Sequence, residues 1–205
     1  SLNGRVCQNA AVLTLIQTDY QTQVFSIDHL VPTDIQMVVT EADPDKRIVK
    51  SINAEPAARE YARLVGTDPD QLDQFTFASH PVVVRIGGVH HVRAIQRVTP
   101  KGELVFFAAI DEGMVLTVAE AQDMANHLDT KLGELDRPGY RMDIVSCDCI
   151  LRRIEAEQTQ ITHTMSDVLT RHKVIGFSTY GEHIGPLNVN HTMHGVALFS
   201  PLAGD

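Results

Sequence analysis

The order of hydrophobic periods along this chain constrains its fold more than any single motif. Ala10–Gln17 (AAVLTLIQ), Gln21–Ile27 and Asp34–Thr40 alternate or run apolar with β-branched content, which predicts three strands. A turn at EADPDK leads to a fourth, RIVKSI, with Pro44 in a position turns favour. The period then becomes helical: Pro56 suits a first helical turn, Tyr61, Leu64 and Val65 repeat at helical spacing, and Gly66 closes the element. A short helix is predicted over Pro69–Phe75. Pro81–Ile86 returns to strand, and Val89–Val98 with Glu103–Ile110 read as a hairpin through TPKG. Thr117–Leu135 is predicted as a helix, with Thr117 and Glu120 as a capping box and Val118, Ala121, Ala125, Leu128, Leu132 and Leu135 as its apolar stripe. Arg141–Cys147 reads as strand and Ile150–Arg171 as one long helix. Two last strands are predicted near Val174–Thr179 and Thr192–Phe199. Strict βαβα alternation is absent. The expected class is therefore α+β, with mixed, largely antiparallel sheets and helices packed on them, and not a doubly wound parallel sheet.

Charge and composition narrow the function. Seventeen Lys+Arg against 26 Asp+Glu leave a net charge of −9, which repels nucleic-acid backbones and anionic membranes. No run of eighteen apolar residues predicts a membrane span, and no secretory leader opens the sequence. The strand pattern of Ala10–Gln17 begins with no preceding element to pair with, so the chain reads as a piece of a longer protein. The three cysteines are Cys7, Cys147 and Cys149. That odd number fits a reducing compartment, and Cys147 and Cys149 are too close in sequence for an easy disulfide.

Chemically capable side chains concentrate in GFSTYGEHIGPLNVNHTMHGVALF, residues 176–199, where Glu182, His183, His191 and His194 fall within thirteen positions. A metal site would need His191 and His194 on one side of the chain, but three positions apart on a strand places them on opposite faces. No H-E-x-x-H, P-loop, G-x-S-x-G or G-x-G-x-x-G is present, and Cys149 has no accompanying base or oxyanion motif for a hydrolase or transferase. His90 and His91 are expected on the two faces of a strand. A ligand pocket remains. Gly176, Gly181 and Gly185 permit close backbone approach, while Thr179, Tyr180, Glu182 and His183 offer four kinds of polar group. A buried Glu182 needs a partner, and Arg152 is the best basic candidate.

These residues resemble a known family. G-F-S-T-Y-G-E, a spacer, Asn190-His191-Thr192 and a closing apolar strand resemble the C-terminal half of the FIST sensory domain. HPVVVRIGG with VRAIQRV, ELVFFAAIDEGMVLTV and Cys149-Ile-Leu-Arg152 agree with that half. MVVTEAD and INAEPAAREYARLVG resemble its junction with the N-terminal half. The resemblance implies residues 1–54 as the end of the N-terminal half and 55–205 as the C-terminal domain. It also implies a cytoplasmic small-molecule sensor and no enzyme, taking amino-acid-like metabolites. Its output would be a partner such as a histidine kinase, diguanylate cyclase or chemotaxis protein, with no nucleic-acid or membrane partner. The family pattern marks Arg152, Thr179, Gly181, Glu182, Asn190 and Thr192 as ligand-binding. Arg152 would pair with a ligand carboxylate, or with Glu182 when the site is empty. No cofactor is expected. The alternative is haem, as in nitric-oxide-sensing members, with His183, His191, His194 or His90 as axial ligand.

Overall fold

The computed structural model describes residues 3–184 and 187–202, with only the backbone of residues 184 and 187. Two sheets, antiparallel except for one strand pair, account for most of it, consistent with the α+β class expected. The larger sheet is built from β2 (Leu30–Asp43), β3 (Ile48–Ile52), β5 (Val82–Ile86), β6 (Val89–Arg93), β7 (Ile95–Val98), β8 (Leu104–Phe106) and β9 (Val115–Ala121), in the order β6-β5-β9-β2-β3-β8-β7, with the two-residue β4 (Glu55–Pro56) beside β3. It curls toward a barrel around Met37, Val39, Ile52, Tyr61, Leu104, Phe106 and Leu116. Closing a sheet on itself removes free edges, the usual hazard of short antiparallel strands. The helix α1 (Ala57–Val65) covers the core with Ala57, Ala58 and Tyr61 and stops at Gly66, whose left-handed backbone lets Thr67 N–H reach the Ala62 carbonyl.

The smaller sheet runs β1-β14-β10-β11, from β1 (Gln21–Ile27), β14 (Met193–Pro201), β10 (Tyr140–Cys149) and β11 (Val174–Thr179). The β10–β11 pair is parallel, as its helical crossover requires. One face carries Phe25, Ile27, Ile144, Ala197 and Phe199 against α3 (Met124–Gly133) and α5 (Thr162–Arg171), through Leu128, Leu132, Met165 and Val168. Each of those leucines stabilises by roughly 1.5–3 kcal/mol on burial. Phe25 lies across Gly195 so closely that a Cβ there would meet its ring. The other face shows Val24, Val145, Ile175 and Phe177 to solvent, and no element among the described residues covers it.

Several elements differ from the sequence expectation. Ala10–Gln17 forms no strand, and Leu13, Leu15 and Ile16 are exposed. A β pattern alone is insufficient when no neighbouring strand supplies backbone partners. The short helix is displaced: Pro69–Gln71 is a single 3₁₀ turn, and α2 occupies Gln74–Ser79, capped by the Asp73 carboxylate. Val89–Val98 divides at Ala94, its first half pairing with β5 and its second with β8. Thr117 does not cap a helix. Leu116, Thr117, Val118 and Ala119 are buried in succession in β9, flanked by β5 and β2. A strand covered on both faces reads as a continuous apolar run, which mimics a helical stripe. The helix starts instead at Asp123, whose carboxylate accepts from Asn126 N–H at 3.0 Å. The predicted helix over Ile150–Arg171 is two helices, α4 (Ile150–Gln158) and α5, because Gln160 takes a left-handed conformation (φ 59°) and Ile161 N–H returns to the Ala156 carbonyl.

Candidate functional site

The parallel pair β10–β11 delivers its chain ends beside α4, where the sequence-marked residues meet. Arg152 sits one turn into α4, 1% exposed. Its Nε donates to Asp148 at 2.8 Å, four residues back at the end of β10, and its Nη1 donates to His29 Nδ1 at 3.0 Å. Accepting there requires the lone pair on Nδ1, so the His29 proton is on Nε2, which donates to both Glu155 oxygens at 2.9 and 3.1 Å. Asp148, Arg152, His29 and Glu155 therefore form one relay, buried at Arg152 and His29 and partly exposed at its two carboxylates, joining α4 to the β1–β2 connection. Burial pushes the Asp148 carboxyl up, with Arg152 opposing. The expected Arg152–Glu182 pair does not form, because Asp148 and His29 already hold the guanidinium.

Glu182 is fastened differently. It begins the hairpin of β12 (Glu182–Ile184) and β13 (Leu187–Val189), and its buried carboxylate accepts from the hydroxyls of Thr179 and of Thr192, the latter at 2.9 Å. Burial raises its pKa, the two hydroxyls opposing. Gly181, at φ 153°, brings the backbone so near that a Cβ would meet the Asn190 amide at 3.0 Å. Asn190 in turn donates to the Tyr180 carbonyl at 3.5 Å. Five of the six marked residues thus form a clasp between 179–182 and 190–192. Gly185 and Pro186 lie outside the described residues.

What the clasp presents is the pair of residues it brackets. Tyr180, between Thr179 and Gly181 and 83% exposed, and His191, between Asn190 and Thr192 and buried, both line a cavity of about 340 Å³ between α2, β7 and α4. Phe77, Ile95, Phe107, Ile150 and Ile154 are among its apolar wall residues. His191 is held at positive φ (54°) just before β14. It is 1% exposed, and burial lowers its pKa to about 3. Its Nδ1 has no hydrogen-bond partner, the nearest carboxylate oxygen, on Glu155, being 3.9 Å away. Arg93 braces the hairpin from the larger sheet, its Nη1 donating to the Asn188 carbonyl at 3.1 Å.

Sequence reasoning missed His29, Glu155 and Arg93 and did not weigh Asp148 as the partner of Arg152. Only the Asp148–Arg152 spacing of four carries a local signal. His29 is 123 positions from Arg152, and no periodicity links them. Among the histidines considered as haem ligands, His90 and His183 are exposed, and His194 is half-buried and hydrogen-bonded to Thr192 at 3.0 Å. His191 lines a cavity, yet that cavity lies at the small end of the ~300–1,000 Å³ range of small-molecule sites. A tetrapyrrole with axial imidazole needs far more room, so the cavity beside His191 does not fit a haem. Among the described residues, no group of three His, Cys, Asp or Glu could hold a metal ion, and no helix is long and apolar enough to cross a membrane. Cys149 is buried, and desolvation with the nearby Glu182 charge pushes its thiol pKa up, the opposite of an activated nucleophile.

The FIST N domain matches residues 1–55 and the FIST C domain matches residues 57–185. No curated protein and no solved structure matches the chain. The clasp, the cavity and α4 lie in or immediately after the second match. The chain belongs to the FIST family of sensory signal-transduction domains.

Proposed function

We propose that this chain is the small-molecule input module of a cytoplasmic signalling system, and that its ligand enters the cavity walled by Tyr180 and His191. One observation carries the reading: Glu182 ties Thr179 to Thr192, and each tied segment contributes one polar residue to the same cavity wall. Glu182, Thr179, Thr192, Asn190 and Gly181 act as positioning residues. Arg152 anchors α4, the opposite wall, to Asp148 and His29. Occupancy of the cavity would bear on α2, α4, Tyr180 and His191 together, and through the Glu155–His29 bond on the β1–β2 connection, a route by which binding reaches an output partner such as a histidine kinase, diguanylate cyclase or chemotaxis protein. Such coupling needs a ligand that favours one arrangement of these elements over another. The chain is not an enzyme in this reading, since the buried thiol and carboxylates are committed to structure.

The test is a thermal-shift screen of a metabolite library on the wild type and on Glu182→Gln. Ligands should stabilise the wild type and stabilise Glu182→Gln less, because the variant loosens Tyr180 and His191. Ligands that shift both proteins equally would remove the clasp from the site.

A further inference from the structure

We propose that the ligand is an uncharged, largely apolar molecule with an aromatic ring and one polar edge, in contrast to the amino-acid-like metabolite expected from the family resemblance. This rests on the cavity being the sensory site. No Asp, Glu, Lys or Arg lines it among the described residues. Its polar groups are the amides of Gln74 and Gln96, the Tyr180 phenol and the His191 ring, and burial keeps that imidazole neutral at physiological pH. The charges that could recognise an amino acid are already engaged. Arg152 gives Nε to Asp148 and Nη1 to His29, and although its Nη2 is without a partner, that atom is enclosed and the side chain does not reach the cavity. The Glu182 carboxylate accepts from two threonine hydroxyls. A zwitterion would lose its hydration in this cavity with no opposite charge to replace it. An aromatic ring, by contrast, meets Phe77, Phe107 and Tyr180, whose rings favour offset or edge-on contacts with it. The unpartnered Nδ1 of His191 leaves the wall one hydrogen bond short. A small turn of the ring would offer that bond to the ligand's polar edge.

Indole and L-tryptophan share a ring system and differ in charged groups, so they separate the two ligand chemistries. Titration of the ¹⁵N-labelled chain with each, followed by amide shifts, should show indole perturbing residues around Tyr180, His191 and Ile154 at least tenfold more tightly than L-tryptophan. Ile154→Trp fills the cavity from the half-buried face of α4 and should weaken indole at least tenfold with an unchanged circular dichroism spectrum. Should that variant fail to fold, Ala78→Leu fills the cavity from α2. Equal or tighter binding of L-tryptophan in the cavity would overturn the neutral-ligand assignment while leaving the sensory reading intact. Indole shifts confined to another surface, or none up to its solubility limit, would also overturn it. The sensory reading falls separately, if metabolite hits stabilise wild type and Glu182→Gln equally.

Discussion

Removing Arg152 should destabilise the fold before it touches any ligand. In Arg152→Met the aliphatic stem still fills its space, but Asp148 loses its ion pair and His29 Nδ1 its donor. Breaking a buried pair by deleting one partner costs about 3–5 kcal/mol, because the other charge is left uncompensated. The Asp148 side chain keeps 23% exposure, so water relieves part of that cost and the lower end, about 3 kcal/mol, is expected. For a chain of this length each kcal/mol moves Tm by roughly 2–4 °C, giving a drop of about 6–12 °C. Calorimetry and urea unfolding followed by circular dichroism would measure it. The sharper test is a cycle with Asp148→Asn. If the orphaned carboxylate is the source, Asp148→Asn should cost clearly less in the Arg152→Met background than in the wild type, with a coupling of about 1–3 kcal/mol. A loss below about 1 kcal/mol for Arg152→Met, or an Asp148→Asn cost equal in both backgrounds, would refute the relay as a structural anchor.

Other consequences are as specific. Burial raises the Glu182 carboxyl above its ordinary 4.5, so the folded state holds that proton more tightly than the unfolded one, and the group's contribution to stability falls as pH rises through and above that value. Glu182→Gln cannot titrate there, so its stability relative to wild type should improve between about pH 4 and pH 7; a pH-independent difference would show that the carboxylate is not desolvated. Asp123→Ala should cost about 0.5–2 kcal/mol through loss of the α3 cap, whereas exposed Glu120→Ala should stay within about 0.5 kcal/mol; the reverse order in urea midpoints would restore the capping box. Gly195→Ala places a methyl against both the Phe25 ring and the Val145 carbonyl oxygen and should cost about 1–3 kcal/mol, only part of it recovered by adding Phe25→Leu because the backbone contact remains; full recovery would place the strain on the ring alone.

Elements were legible from sequence where the local pattern and the final environment agree. Tyr61, Leu64, Val65 and Gly66 announce α1 because one face is buried and the glycine supplies the left-handed stop. The pattern misled where burial is two-sided, as at Leu116–Ala119, since a continuous apolar run is common to a central strand and a helix. It misled again at Gln160, where a non-glycine residue adopts a left-handed backbone that no local rule anticipates. The motif residues Thr179, Gly181, Glu182, Asn190 and Thr192 stood out in the sequence and do converge, but as a clasp for Tyr180 and His191.

By itself, then, the sequence determined the class of fold, the family and the two short segments around which the site is built, because period, turn residues and motif spacing are all local properties. Only the tertiary structure decided that Arg152 answers to Asp148 and His29 and not to Glu182, and that a cavity lined by no charged side chain among the described residues lies beside them. Those outcomes depend on which buried groups the topology brings together across more than a hundred residues of chain, and desolvation lets each buried charge keep only partners placed within hydrogen-bond distance.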